Sequence, residues 1–224
     1  MNSIHSEIKL CQMMLSYMNL LSACICCLKP YAKTPAICPD CIELLRRLNC
    51  LGDKSLCVFS HDWRDFQSLG NYEGLLGHLI HQGKFEAKLG VLKQLAILFA
   101  EEVLTGYRDL DGLVIPVPMK TSRYLRRGYN QSAFLAKTIA SRLGLQYTDK
   151  LVQHSGLARV QHKLNRKERS QNMRQAFFCK GKVPERVFVV DDVFTTGATA
   201  RAMCHCLKAA GATHVEIWVL AKAE

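Results

Sequence analysis

The most informative stretch of this sequence runs from Val187 to Thr199 and reads VFVVDDVFTTGAT. Its apolar start predicts a buried strand, which we expect to end at Asp191 and Asp192. The small residues that follow predict a loop entering a helix, where backbone N–H groups and the helix dipole favour an anion. The loop residues that we expect to hold a phosphate are Thr195, Thr196, Gly197, Ala198 and Thr199. The two carboxylates suit sugar hydroxyls, so the stretch predicts a site for ribose 5-phosphate.

Strand and helix patterns alternate around this stretch. Short apolar runs predict strands at 112–117, 186–190 and 214–220, and apolar residues at helical spacing predict helices at 92–107, 130–143 and 198–210. By contrast, 68–90 is punctuated by glycine, which favours turns and one short helix. Strands that alternate with helices pair in parallel. We therefore expect an α/β fold, a parallel sheet flanked by helices.

The charge is distributed unevenly along the chain. The 224 residues carry 30 Lys and Arg against 19 Asp and Glu, a formal net charge of +11. Between Pro116 and Arg186 there are sixteen basic residues and three acidic ones, so the whole excess lies in this segment. Such a run is often only a solvated surface, but a bias this one-sided favours an anionic partner.

The cysteines form a metal-ligand pattern. Eight of the eleven precede residue 60, and two C-x2-C pairs are separated by ten residues. Two such pairs close a tetrahedral thiolate shell, which predicts a structural zinc ion. The expected ligands are Cys24, Cys27, Cys38 and Cys41. Cys26 could replace a neighbour, and Cys50 and Cys57 are too loosely spaced to predict a second site.

The remaining features set the expected organisation and location of the chain. No uninterrupted apolar run is long enough to span a membrane, and residues 1–21 lack the pattern of a secretory signal. An odd number of cysteines also argues against a secreted disulfide framework. We expect a cytoplasmic protein with an N-terminal helical segment (1–21), a zinc-ribbon module (22–60) and a larger α/β domain (61–224).

The sequence resembles the ComF/GntX family of competence-associated proteins, within the type I phosphoribosyltransferase superfamily. The stretch at 187–199 is similar to the signature with which that superfamily binds phosphoribosyl pyrophosphate (PRPP). The likeness extends from the cysteine pairs through LIHQGKF (79–85), IPVPMKTSRYLRRGYNQS (115–132) and QHKLNRKERSQNMRQAF (161–177) to the last strand. Many members of that family carry further paired cysteines that this chain lacks.

The resemblance implies a role for each part of the site. Asp191 and Asp192 would hold the ribose 2′- and 3′-hydroxyls and serve catalysis, and 195–199 would hold the 5-phosphate. A loop at 119–127 would bind pyrophosphate with Mg²⁺, and 161–177 would form a hood over the second substrate. The candidate cations of that loop are Lys120, Arg123, Arg126 and Arg127. The sequence indicates no chemical role for Lys84, which lies in the LIHQGKF run.

Two functions remain open from the sequence. In the first, the protein transfers phosphoribosyl from PRPP to an unknown acceptor, releases pyrophosphate and serves DNA uptake in natural transformation. In the second, it is a non-enzymatic module that retains the PRPP site. It would then bind single-stranded DNA or proteins of the DNA-uptake and recombination machinery.

Overall fold

The computed structural model describes residues 23–47, 65–85, 88–104, 111–155 and 176–223. The helices are α1 (Pro39–Arg47), α2 (Gly74–Phe85), α3 (Leu89–Glu102), α4 (Thr121–Arg127), α5 (Gln131–Leu143) and α6 (Ala198–Ala209). The strands are β1 (Asp65–Asn71), β2 (Leu113–Pro116), β3 (Gln146–Tyr147), β4 (Val152–His154), β5 (Phe177–Cys179), β6 (Arg186–Phe194) and β7 (His214–Lys222). Among the described helices, none has the length and apolar character that a bilayer crossing requires.

Five strands form one parallel sheet in the order β1-β7-β6-β2-β3. In its register Val189 of β6 lies opposite Ile115 of β2 on one side and Ile217 of β7 on the other. β4 and β5 form a separate antiparallel pair. The predicted α/β class with a parallel sheet is confirmed, and β6 lies at the middle of the sheet.

Helices cover both faces of the sheet. Phe188 and Val190 of β6 pack into a core shared with α2, α3 and α5, and Phe188 stacks on Trp218 with ring centroids 4.2 Å apart. Val187 and Val189, which alternate with them, pack into a second core with α6. A strand that is buried on both faces is expected to be continuously apolar, as β6 is up to Val190.

The cysteine-rich segment packs against the sheet domain. Ile37 and Leu45 are fully buried and belong to the same core as α2, α3 and α5. Gln94 of α3 accepts a hydrogen bond from the backbone N–H of Ala36 at 2.8 Å, and Arg46 pairs with Glu102 at 2.5 Å. Residues 23–47 are thus docked onto α3 through apolar and polar contacts.

Several elements differ from the sequence expectations. β6 continues through the acidic pair to Phe194, because Asp191, Val193 and Phe194 still pair with β7. Residues 68–71, the start of the segment expected to form turns and one short helix, instead belong to β1, an edge strand beside β7. The pyrophosphate loop expected at 119–127 is mostly helix α4, which ends at Gly128 in a left-handed conformation (φ +80°).

Other predictions lie outside the described residues. These are the helical segment 1–21, the positions of Cys50 and Cys57, and all but the end of the hood predicted at 161–177.

Candidate functional site

A cleft lies at the carboxyl end of β6. Its walls come from β6 and β7, from Val117 directly after β2, and from the loop into α6. Among its lining residues are Asp191 and the whole predicted phosphate loop, Thr195, Thr196, Gly197, Ala198 and Thr199. This is the edge of the sheet at which ligands of open α/β folds bind.

The loop depends on Gly197. Its φ of +70° is in the left-handed region that favours glycine, and it immediately precedes the first residue of α6. A Cβ placed there would lie 2.7 Å from Cζ of Phe194. Both observations show that a side chain at this position would displace the loop.

Polar groups of the loop surround the start of α6. Thr195 and Thr196 are exposed, and the hydroxyl of Thr196 accepts a long hydrogen bond from the backbone N–H of Ala198 at 3.5 Å. The guanidinium of Arg201 donates to the carbonyl oxygen of Thr196 at 2.7 Å. The first N–H groups of a helix have no partner within the helix, so hydroxyls, N–H groups and a guanidinium together favour an anion at this loop.

The acidic residues have different neighbours. Asp191 lines the cleft, and its carboxylate accepts hydrogen bonds from the hydroxyl of Ser132 at 2.8 Å and from the N–H of Asp192 at 2.9 Å. Asp192 is buried and is not among the lining residues. Its carboxylate lies 2.9 Å from the ammonium of Lys84 at the end of α2. Asp191 is therefore the carboxylate that faces the cleft.

The environment of Asp191 disfavours its charged form. Burial and then the neighbouring charge of Asp192 raise the pKa of Asp191 to about 7, although Ser132 and Lys84 act in the opposite direction. Asp191 is thus a carboxyl group that changes its charge near neutral pH.

The predicted pyrophosphate cations lie on or beside α4. Lys120 and Arg123 are exposed, and both lie close enough to His154 of β4 to add to the effect of burial in lowering its pKa. Arg127 donates to the side chain of Gln131 at 2.8 Å. The side chain of Arg126 is outside the described part of the structure. None of the three described basic residues is among those that line the cleft.

Three residues of the site are not predicted from the sequence: Lys84, Ser132 and Arg201. Arg201 follows Gly197 by one helical turn, a spacing that would have placed it beside the loop. The contacts of Ser132 and Lys84 with the acidic pair join positions far apart in the chain, and no local pattern indicates them.

We predict that Gly197→Ala weakens phosphate-ligand binding and destabilises the protein by about 1–2 kcal/mol, because alanine disfavours this φ and contacts Phe194. Calorimetric binding and urea unfolding measure the two effects. Gly90→Ala in α3 is the control, since no atom lies within 4 Å of its added Cβ. Wild-type affinity in Gly197→Ala would contradict the assignment of the loop.

The four predicted cysteines meet at one point. Their sulfur atoms lie within 4.8 Å of one another, and Sγ of Cys27 is 3.7 Å from Sγ of Cys38. Four sulfurs placed tetrahedrally at about 2.3 Å from zinc are separated by about 3.8 Å, so the group of Cys24, Cys27, Cys38 and Cys41 could hold such an ion. Cys26 is not part of the group.

Backbone groups favour the thiolate form of one of these residues. Burial alone would raise the pKa of Cys24, but hydrogen bonds from backbone N–H groups, first that of Cys27 and then that of Cys38, lower it to about 6. The N–H of Cys38 lies 3.3 Å from the sulfur. Thiolate is the form that binds metal.

Comparison with known proteins identifies relatives over most of the chain, although no family model matches it. It is 29% identical to DNA utilization protein YhgH of Salmonella typhimurium over 218 residues, which cover 95% of both chains. It is 32% identical to the Escherichia coli protein of that name, over 71% of this chain and 73% of that one. Competence protein F of Haemophilus influenzae is also 32% identical, over 72% and 74% of the two chains.

Among solved structures, TT1426 from Thermus thermophilus matches 57% of this chain and 72% of its own, at 17% identity and a TM-score of 0.34. This likeness is too low to bear on the function. The sequence relatives, by contrast, confirm the resemblance drawn from the motifs. The chain belongs to the protein family that includes competence protein F and DNA utilization protein YhgH.

Proposed function

We propose that this protein binds PRPP in the cleft at the end of β6 and acts as a phosphoribosyltransferase in DNA uptake. The names of its relatives, which refer to competence and to DNA utilization, support the cellular role. One observation carries the biochemical proposal. Asp191 and the loop 195–199 line the same cleft, so a carboxylate and an anion-binding loop face one ligand.

The two halves of this cleft suit opposite ends of a phosphorylated sugar. The loop offers N–H groups and the hydroxyls of Thr195, Thr196 and Thr199 to a 5-phosphate. In this proposal, Asp191 accepts hydrogen bonds from the ribose hydroxyls. The same role for Asp192, implied by the family, stays a prediction, because its carboxylate meets Lys84 instead.

The proposed reaction is displacement at C1 of the ribose. The bond from C1 to the pyrophosphate oxygen breaks, a bond from C1 to the acceptor forms, and the acceptor proton leaves to solvent or a base. Mg²⁺, bound with PRPP, would neutralise the leaving pyrophosphate. Three described basic residues would also neutralise the leaving pyrophosphate: Lys120, Arg123 and Arg127. Such electrostatic contributions dominate many transfer reactions.

A screen for pyrophosphate release tests the enzymatic part of this proposal. The full chain is incubated with Mg²⁺ and PRPP and with a panel of nucleobases and amines. Release that depends on one acceptor class supports transfer. If the protein binds PRPP but releases no pyrophosphate with any acceptor, the enzymatic part of the proposal is wrong and the site only binds PRPP.

We predict that PRPP binding strengthens as pH rises through about 7, because the proposed hydrogen bonds need ionised Asp191. The contribution of Asp191 to folding stability changes in the opposite direction as the pH rises. The raised pKa of Asp191 means that the folded protein binds more protons than the unfolded chain between its ordinary value near 4 and about 7, so this group's contribution to stability falls across that window. Calorimetry at several pH values and urea unfolding measure the two trends. An affinity that does not change with pH would contradict the role of Asp191.

A specific surface favours the second function, binding of single-stranded DNA. α4 exposes Tyr124 and Leu125 beside Lys120 and Arg123. Cations interleaved with an aromatic ring suit a phosphate backbone and stacked bases. Fluorescence anisotropy with oligothymidine tests this second function. Binding that falls steeply with salt and is lost in Arg123→Ala with Tyr124→Ala would support it, and no binding would exclude it.

A further inference from the structure

Lys84 supplies the positive charge at the acidic pair. Asp192 is buried, and an unpaired buried carboxylate is strongly disfavoured. The ammonium of Lys84 lies 2.9 Å from its Oδ2, with the two side chains 23% and 11% exposed. The pair is therefore mostly shielded from water, and its geometry matters more than that of a surface ion pair.

The backbone around Lys84 is fixed from a second element. The last carbonyl groups of a helix have no partner within the helix. At the end of α2 these carbonyls accept hydrogen bonds: Tyr129 donates to Gly83 at 3.1 Å, and Gln131 donates to Lys84 at 3.0 Å. Gln131 is itself buried, and a Cβ on Gly83 would lie 2.4 Å from Cγ of Leu92. Lys84 thus projects from a backbone that cannot shift easily.

The same short segment, 129–132, controls both acidic residues. Asn130 caps α5 by accepting from the N–H of Ser132, and it donates to the carbonyl of Val117 at the end of β2. Ser132 then donates to Asp191. The segment therefore orients Asp191 directly and Asp192 through Lys84.

We propose that Lys84 is a positioning residue of the candidate site, which holds Asp192 in an ion pair behind the cleft so that Asp191 alone faces the ligand. The two carboxylates belong to adjacent residues of β6, so an Asp192 held by Lys84 restricts the backbone from which Asp191 projects. Lys84 is not among the residues that line the cleft. The statements about PRPP rest on the proposed function, whereas the effect on the acidic pair does not.

Loss of Lys84 has a defined electrostatic consequence. The titratable groups that act on Asp191 are Asp192 on its own strand and Lys84 from α2, and α5 contributes the uncharged hydroxyl of Ser132. Without the ammonium, the repulsion between the two carboxylates is no longer balanced. Asp191 then ionises at higher pH, and a ligand that needs its carboxylate binds at higher pH as well.

The first measurement follows the carboxyl carbon of Asp191 by NMR in the full chain, labelled at aspartate and assigned by the signal lost in Asp191→Asn. In Lys84→Met we expect its titration midpoint to rise by about one pH unit. Lys84→Arg should stay close to wild type, as should Lys137→Met, the control on the exposed face of α5. An unchanged midpoint in Lys84→Met would overturn the proposal.

The second measurement is calorimetric titration with Mg²⁺ and PRPP. We expect Lys84→Met to bind about fivefold more weakly at pH 7 and to recover as the pH is raised, because a rise of about one unit from a pKa of about 7 lowers the ionised fraction of Asp191 at pH 7 from about one half to about one eleventh. In an Asp192→Asn background the same substitution should cost at most about twofold, because the two residues act as a unit. Equal losses in both backgrounds would overturn the role through Asp192.

The two measurements separate the ways in which the account could fail. A wild-type protein that binds no PRPP, with an Asp191 midpoint that still moves in Lys84→Met, would refute the proposed function and leave the positioning role intact. Thermal unfolding of each variant shows whether it is folded. If Lys84→Met does not fold, the comparison uses Lys84→Arg and the two proteins in the Asp192→Asn background, with and without Lys84→Met.

Discussion

Replacement of Asp191 and Asp192 by asparagine together is expected to lower the affinity for PRPP by about 10²–10⁴-fold, the largest functional effect of any change considered. Hydrogen bonds to a charged acceptor contribute about 1.5–3 kcal/mol each, and the ribose would lose the carboxylate that faces it. The fold should survive at some cost in stability, because asparagine keeps the side-chain shapes nearly constant but leaves the ammonium of Lys84 without its carboxylate. Calorimetric titration with PRPP and Mg²⁺ measures the affinity.

The single variants test the contributions of Asp191 and Asp192 separately. Asp191→Asn should account for most of the loss, since only Asp191 lines the cleft. Asp149→Asn removes an exposed carboxylate elsewhere and is the matched control. An affinity in the double variant that equals the wild-type value would refute the assignment of the site to a phosphorylated sugar.

Loss of the cysteine cluster should give the largest effect on stability. We expect the purified protein to contain one zinc ion per chain. Cys27→Ser with Cys38→Ser should lose it and unfold about 10 °C or more lower, since metal binding is coupled to folding in such sites. The reason is local: Cys24 and Cys41 are buried beside Ile37 and Leu45 in the core shared with α3, so the cluster supports that packing.

Metal analysis and thermal unfolding measure these changes. Cys26→Ser is the matched control, because Cys26 is a neighbouring cysteine outside the four-sulfur group, and it should retain the zinc. A double serine variant that keeps its metal, or that unfolds at the wild-type temperature, would show that the cluster is not a structural metal site.

The central part of the fold could be predicted from sequence because its signals are local. The apolar run of β6, the small residues at 195–199 and the spacing of the cysteines are each contained within a few residues. Helix α5 was similarly evident, since Asn130 caps it and Gly144 ends it in a left-handed conformation. The four cysteines of the two C-x2-C pairs lie together as predicted, although the prediction used only their spacing in the sequence.

The parts that were missed depend on distant partners. Residues 68–71 of β1 suggest turns from the sequence because they include Gly70 and polar residues, and they form a strand through their pairing with β7. The partners of the acidic pair come from α2 and α5, far from β6 in the chain. The separation of roles between Asp191 and Asp192 follows from these contacts, and no reading of VVDD alone would reveal it.

A crystal structure of the protein with Mg²⁺ and PRPP would test the central claim most directly. The account predicts the 5-phosphate on the backbone N–H groups of the loop 195–199, with a ribose hydroxyl within hydrogen-bond distance of Asp191 and with Lys84 still beside Asp192. A cleft that stays empty at saturating PRPP, or a ligand bound only along α4, would contradict it.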